Sequence, residues 1–86
     1  MATVVIFHEV EDVEHWLAST NRDKIFKANG ITVTTLVEPT RTNRVGLLVD
    51  TPDMDTLERV IGSEDAAVAM SEDGVRAGTI VLFVES

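Results

Sequence analysis

His8 is the side chain in this sequence best placed to do chemistry. It ends the short apolar run Thr3 to His8 (TVVIFH) and shares a strand side with Val4 and Ile6. An imidazole there can take up or release a proton near neutral pH, so His8 is the candidate catalytic acid or base. The alternative is a histidine hydrogen-bonded at a sheet rim, since buried polar groups are usually satisfied. Trp16 and Phe26 can form the aromatic wall of a small-molecule cavity between a helix and a sheet, or serve as ordinary core. His15 lies about 100° around the helix from Trp16, which puts it on the flank, exposed or half-exposed. Arg44, with Arg41, makes the only compact basic pair near a strand end; it can hold a small anion or stand solvated beside a turn. Trp16, Phe26, His15 and Arg44 are the candidate ligand-binding residues. His8 and His15 with Glu9 or Glu14 match no metal-ligand spacing, so no metal site is expected. Met54 and Met70 read as gap fillers. No Gly-x-Ser-x-Gly elbow or glycine-rich phosphate loop is present.

These residues must be positioned by a small scaffold. With 86 residues the chain is read as one domain, residues 1–86, and a domain this short leaves much of its surface in water unless a partner covers it. Hydrophobic residues make up 44% and charged residues 26%, a globular composition. The protein is acidic, with a net charge of −8 from 15 acidic and 7 basic residues, so a phosphate backbone is repelled and no nucleic-acid partner is expected. The absence of cysteine excludes disulfides and thiolate chemistry. No apolar run approaches the roughly 20 residues that span a bilayer, and no secretory signal precedes the first strand; no membrane association and a cytoplasmic location are expected.

Strand 1 is Thr3 to His8. Asp12 caps helix 1, with Val13, Trp16, Leu17 and Thr20 at helical spacing, and Ser19 to Asn21 introduce a kink or a fresh cap before Arg22 to Ala28. Asn29-Gly30 stops the helix and strand 2 runs from Ile31 to Glu38. The polar segment Pro39 to Asn43 joins it to strand 3, Arg44 to Asp50, as a hairpin. Thr51-Pro52-Asp53 opens helix 2, with Pro52 at its first position and Met54, Leu57, Val60 and Ile61 as its buried stripe. Ser63 caps a further helical stretch that stops near Gly74, and strand 4 is Thr79 to Glu85.

Two strand–helix–strand units joined by a hairpin predict an α+β, ferredoxin-like βαββαβ fold, an antiparallel four-stranded sheet with its helices on one face. Strand 4 sets Ile80, Leu82 and Val84 against Val81 and Phe83, and strand 1 sets Val4 and Ile6 against Val5 and Phe7, so both sheet faces are apolar. An open antiparallel sheet facing water would carry polar residues on its outer side. At about 25 cal/mol per Å², a face of several hundred Å² is worth on the order of 10 kcal/mol before association costs. A homodimer packed sheet to sheet is the expected solution, and a heterologous partner the alternative.

The stretch His8-Glu9-Val10-Glu11-Asp12-Val13-Glu14-His15-Trp16 carries His-x-Val-x-Asp-x-x-x-Trp at the passage from strand 1 to helix 1. With the Gly30-Ile31 helix exit, and the late stretch Ser63 to Ala66 through Met70 and Gly74-Val75, the chain resembles the dimeric α/β-barrel superfamily. It is similar in particular to small bacterial proteins related to antibiotic biosynthesis monooxygenases. The resemblance spans nearly the whole chain and is mostly structural. It implies a dimeric barrel that holds a small hydrophobic or aromatic molecule between helix 1 and the sheet. If catalytic, such a protein would use His8 and no cofactor, in an oxygenation or cyclisation belonging to secondary metabolism. The alternative is a non-catalytic dimer that binds a metabolite or serves as an accessory subunit. The haem-degrading and quinol-oxidising branches rely on a strand tryptophan and a first-strand asparagine; here the sole tryptophan is on helix 1, and neither activity is expected.

Overall fold

A computed structural model describes residues 2–86. In chain order the elements are β1 (Ala2–Glu9), α1 (Val13–Ala18), α2 (Asn21–Ala28), β2 (Thr32–Val37), β3 (Arg44–Thr51), α3 (Met54–Ile61), α4 (Glu64–Glu72) and β4 (Val81–Val84). The sheet order is β2-β3-β1-β4 with every neighbouring pair antiparallel, which is the ferredoxin-like arrangement. The helices lie on one face. No helix among the described residues is long and apolar enough to cross a membrane.

Register assigns each side chain to a face. Val4 pairs with Val49, Ile6 with Leu47 and His8 with Val45, and all six are buried beneath the helices. The five apolar residues among them form one hydrophobic cluster with Val10, Val13, Trp16, Phe26, Ile31, Leu57 and Val60. Phe7, Leu48, Leu36, Val81 and Phe83 are exposed on the opposite face, with Phe7 and Phe83 edge to face at 6.0 Å between ring centroids.

The local signals mostly act where expected, with two differences. Of the two outcomes expected at Ser19 to Asn21, a kink or a fresh cap, the structure has the second: the Ser19 hydroxyl accepts the N–H of Asn21 and the helical stretch divides into two helices. The third helix begins after Pro52, not at it: Asp53 is the cap, its carboxylate accepting from the N–H of Thr56 at 2.7 Å. The hydroxyl of Thr51 instead donates to the Asp53 carbonyl. Strand 4 is shorter than its apolar run, since Gly78 takes a positive φ of 79° and the chain joins the sheet only at Val81.

The helices bury the facing side of β1 and β3, cover β2 only in part and leave β4 open. Leu82 and Val84, whose side chains alternate toward the helical side, are exposed, as are Val81 and Phe83 on the other. The last strand is therefore an apolar sheet edge with both of its faces in solvent.

Candidate functional site

The candidate site is assembled from three segments that meet over β1. Strand alternation delivers His8 to the helical side, where it is only 7% exposed. Helix α1 is held at its start by Asp12, whose Oδ1 accepts the N–H groups of Glu14 and His15 at 3.0 and 3.2 Å. This short helix sets the fully buried indole of Trp16 against His8, with ring centroids 5.5 Å apart and planes at 71°.

Because the chain restarts as α2 just after Ser19-Thr20, Arg22 falls in the first turn and folds back over Trp16. Its guanidinium carbon lies 4.0 Å from the indole ring centroid, and Nη1 donates to the Trp16 carbonyl at 2.8 Å. Asp73, the C-cap of α4, supplies the counter-charge: its Oδ2 is 3.6 Å from Arg22 Nη1, with little of either side chain exposed. Asn21 Nδ2 steadies this carboxylate by donating to Asp73 Oδ1 at 3.1 Å and to Glu72 Oε2 at 3.2 Å.

These groups border a cavity of about 80 Å³ between the helices and the sheet. Its walls are almost wholly apolar, with Trp16, Phe26, Leu47 and Met70 among them and Ile80, 42% exposed, at its margin. His8, Arg22 and Asp73 are its polar points. Two of their atoms, His8 Nδ1 and Arg22 Nε, are buried without a hydrogen-bond partner.

Burial pushes the His8 pKa down from 6.5 to about 4, and the neighbouring Arg22 charge adds to the shift. The imidazole is uncharged at neutral pH, able to donate from one nitrogen and accept at the other. Burial also lowers the pKa of Arg22, opposed by the Asp73 and Asp23 carboxylates. The arrangement is thus a greasy chamber with a neutral imidazole and an ion pair at one end.

The structure brings His8, Trp16 and Phe26 together at this cavity and leaves His15 and Arg44 outside it. His15 is exposed on α1 and its Nε2 lies 2.8 Å from the Glu72 carbonyl, a stitch between α1 and the end of α4. Arg44 is on the opposite sheet face, largely solvated and 3.9 Å from Glu38. Its sequence neighbour Arg41 pairs with Glu14 at 3.8 Å, so the two arginines form no joint anion site. Among the described residues there is no group of three or more metal-ligating side chains.

Sequence reasoning missed Arg22 and Asp73. Arg22 did carry a signal, being four residues before Phe26 and hence on the same, inward face of α2. Asp73 carried none, since an acid before a helix-stopping glycine is ordinarily just solvent-facing.

The sequence matches no protein-family profile and no curated protein. Solved structures do share its fold. One is an antibiotic biosynthesis monooxygenase, at a TM-score of 0.68 and 8% identity, covering 100% of this chain and 97% of that one. A second is an antibiotic biosynthesis monooxygenase candidate from Bacteroides thetaiotaomicron, at 0.65 and 14% identity over 99% and 87% of the two chains. A third is a protein of Mycobacterium tuberculosis, at 0.62 and 11% identity over 100% and 94%. At these identities the likeness is one of fold: this chain has the ferredoxin-like fold of antibiotic biosynthesis monooxygenase structures.

Proposed function

We propose that this chain is a small-molecule-binding protein that holds an apolar or aromatic molecule between its helices and sheet, and that it works as a homodimer joined through the open sheet faces. The observation that carries the first part is an apolar cavity bordered by two residues with buried, unpartnered polar atoms, His8 Nδ1 and Arg22 Nε. Most buried polar atoms in proteins have a partner, so two orphans bordering one cavity favour a site that something else completes. The second part rests on Phe7, Leu36, Leu48, Val81 and Phe83, an apolar set on a sheet face with no helix over it.

Where the protein is an enzyme, His8 is the proton-handling group and no cofactor is required. Oxygenation is the chemistry suggested by the names of the similar structures, with cyclisation the other option that the sequence resemblance implies. The non-catalytic reading is favoured by the low basicity of His8, whose pKa near 4 makes it a weak base at neutral pH.

Trp16 is the sole tryptophan and lines the cavity, so its fluorescence reports occupancy directly. Titration with a panel of small aromatic molecules, together with native mass spectrometry of the purified protein, tests the proposal. Saturable quenching that disappears in Ala66→Leu or Ala69→Leu variants, which fill the chamber without adding a fluorophore, supports it. No saturable response to any compound, with no co-purified molecule, removes it.

A further inference from the structure

Packing sheet to sheet can cover only one side of β4. It buries Val81 and Phe83 and leaves Ile80, Leu82 and Val84, which alternate to the other side and are 42%, 37% and 47% exposed. The strand also has an unused hydrogen-bonding edge, since among the described residues the sheet ends there. Its pairing with β1 fixes which groups lie on that edge. Val84 stands opposite Val4, and the Glu85 N–H reaches the Thr3 carbonyl at 2.9 Å, so Glu85, Phe83 and Val81 bond inward to β1. The N–H and C=O groups of Leu82 and Val84 therefore point outward, with Ile80 next on the same parity. Exposed sheet edges are ordinarily blunted by a lysine, a proline or a bulge, and Thr79 to Val84 carries none of these.

We infer that this edge is a second self-association surface, on which β4 pairs antiparallel with β4 of another copy about a twofold axis through Leu82. The occupant is a second copy because the run is complementary to itself. Outward-bonding residues must meet outward-bonding residues, so the allowed registers differ by steps of two. Only the register centred on Leu82 sets every residue from Ile80 to Val84 against another of the same run: Leu82 on Leu82, Ile80 on Val84, Val81 on Phe83. A step either way puts Val81 opposite Glu85 or Val84 opposite Gly78. In the centred register Glu85 faces Thr79, so two copies of an acidic chain meet here without opposed like charges. Both sides of β4 gain neighbours at once, and Val84 of the second copy comes to lie beside Ile80 at the margin of the chamber. With a strand of 4 residues the contact is smaller than the roughly 1,200 Å² at which standard interfaces begin, so it forms at higher concentration than the sheet-face dimer. It holds whether or not the chamber takes a ligand.

The cysteine-free sequence allows a direct test. Single cysteine variants at each position from Ile80 to Val84 are oxidised mildly at several hundred micromolar, and the cross-linked dimer is read on a non-reducing gel. Opposed Cα atoms in a hydrogen-bonded pair lie about 5.5 Å apart, within disulfide reach, whereas sheets packed face to face lie about 10 Å apart. Leu82→Cys is therefore expected to cross-link at least tenfold more than Val81→Cys or Phe83→Cys. Leu82→Pro removes an outward N–H and no bond to β1, and its fold is checked by circular dichroism. It is expected to abolish the rise in mass that the wild type shows in sedimentation between ten and several hundred micromolar. Equal cross-linking at all positions, a maximum at Phe83, or a wild-type mass that stays constant over that range overturns the edge contact. The sheet-face dimer is read separately, at low micromolar concentration, and survives any of these results.

Discussion

At the residue scale, the cost of keeping His8 neutral is the most direct property to measure. The unfolded chain binds a proton at this histidine near pH 6.5 and the native protein only near pH 4, so protons favour the unfolded state between those values. The stability linked to a neutral His8 is fully present above about pH 6.5, declines as the pH falls toward 4, and is flat below that. Urea unfolding across this window should show the wild type losing stability faster than His8→Gln, with a difference in slope approaching about 1.4 kcal/mol per pH unit. Equal slopes would mean that His8 is not protected in the native state. Asp73 makes a second case. Asp73→Ala strands the Arg22 cation among apolar groups and should destabilise by about 3 kcal/mol in chemical denaturation, with Asp73→Asn costing less because the Asn21 contact can persist. His8 was recognisable from sequence because strand periodicity fixes a face. The Arg22–Asp73 pair was not, because it joins residues 51 positions apart whose meeting depends on where α2 and α4 come to rest.

At the scale of elements, caps and breaks decide the geometry. Ser63 accepts the Ala66 N–H at 3.1 Å and starts α4, the helix whose far end supplies Asp73. Ser63→Ala should cost about 1 kcal/mol in stability. If α4 shifts as a result, the Trp16 emission maximum should move with it, through Arg22; an unchanged stability would show the cap to be dispensable. Turn and cap chemistry is local, which is why Asp12, Asn29-Gly30, Ser63 and Gly74 could be read directly from sequence. The division at Ser19-Thr20 was readable as one of two outcomes, a kink or a fresh cap. Whether weak formers bend a helix or split it depends on tertiary packing, here on the Trp16 carbonyl receiving Arg22. Strand 4 was over-extended for a related reason: hydrophobicity shows that residues want burial, not that they pair with a neighbouring strand.

For the molecule as a whole, the two apolar faces predicted by strand alternation are present, yet coverage by helices is less complete than expected, since β4 is open on both sides. Sedimentation at micromolar concentration should find the wild type as a two-protomer species, and Phe83→Lys should shift it to single protomers, because this ring is 61% exposed on the open face and packs against Phe7. A wild type that sediments alone at tens of micromolar would remove the dimer proposal. The fold class was legible because the order of elements leaves few ways to close a sheet; the partner surface was legible only as an excess of apolar side chains, which names no partner.

Ile80 stands at the margin of the chamber and runs directly into the strand that nothing in the monomer shelters. A contact that orders that strand and thereby raises the affinity of the chamber for a guest would, by reciprocity, be strengthened by the guest by the same free energy. The ratio of the self-association constants measured with and without a guest would give the strength of that mechanical link between a loaded interior and a shared edge, and a ratio of one would show there is none.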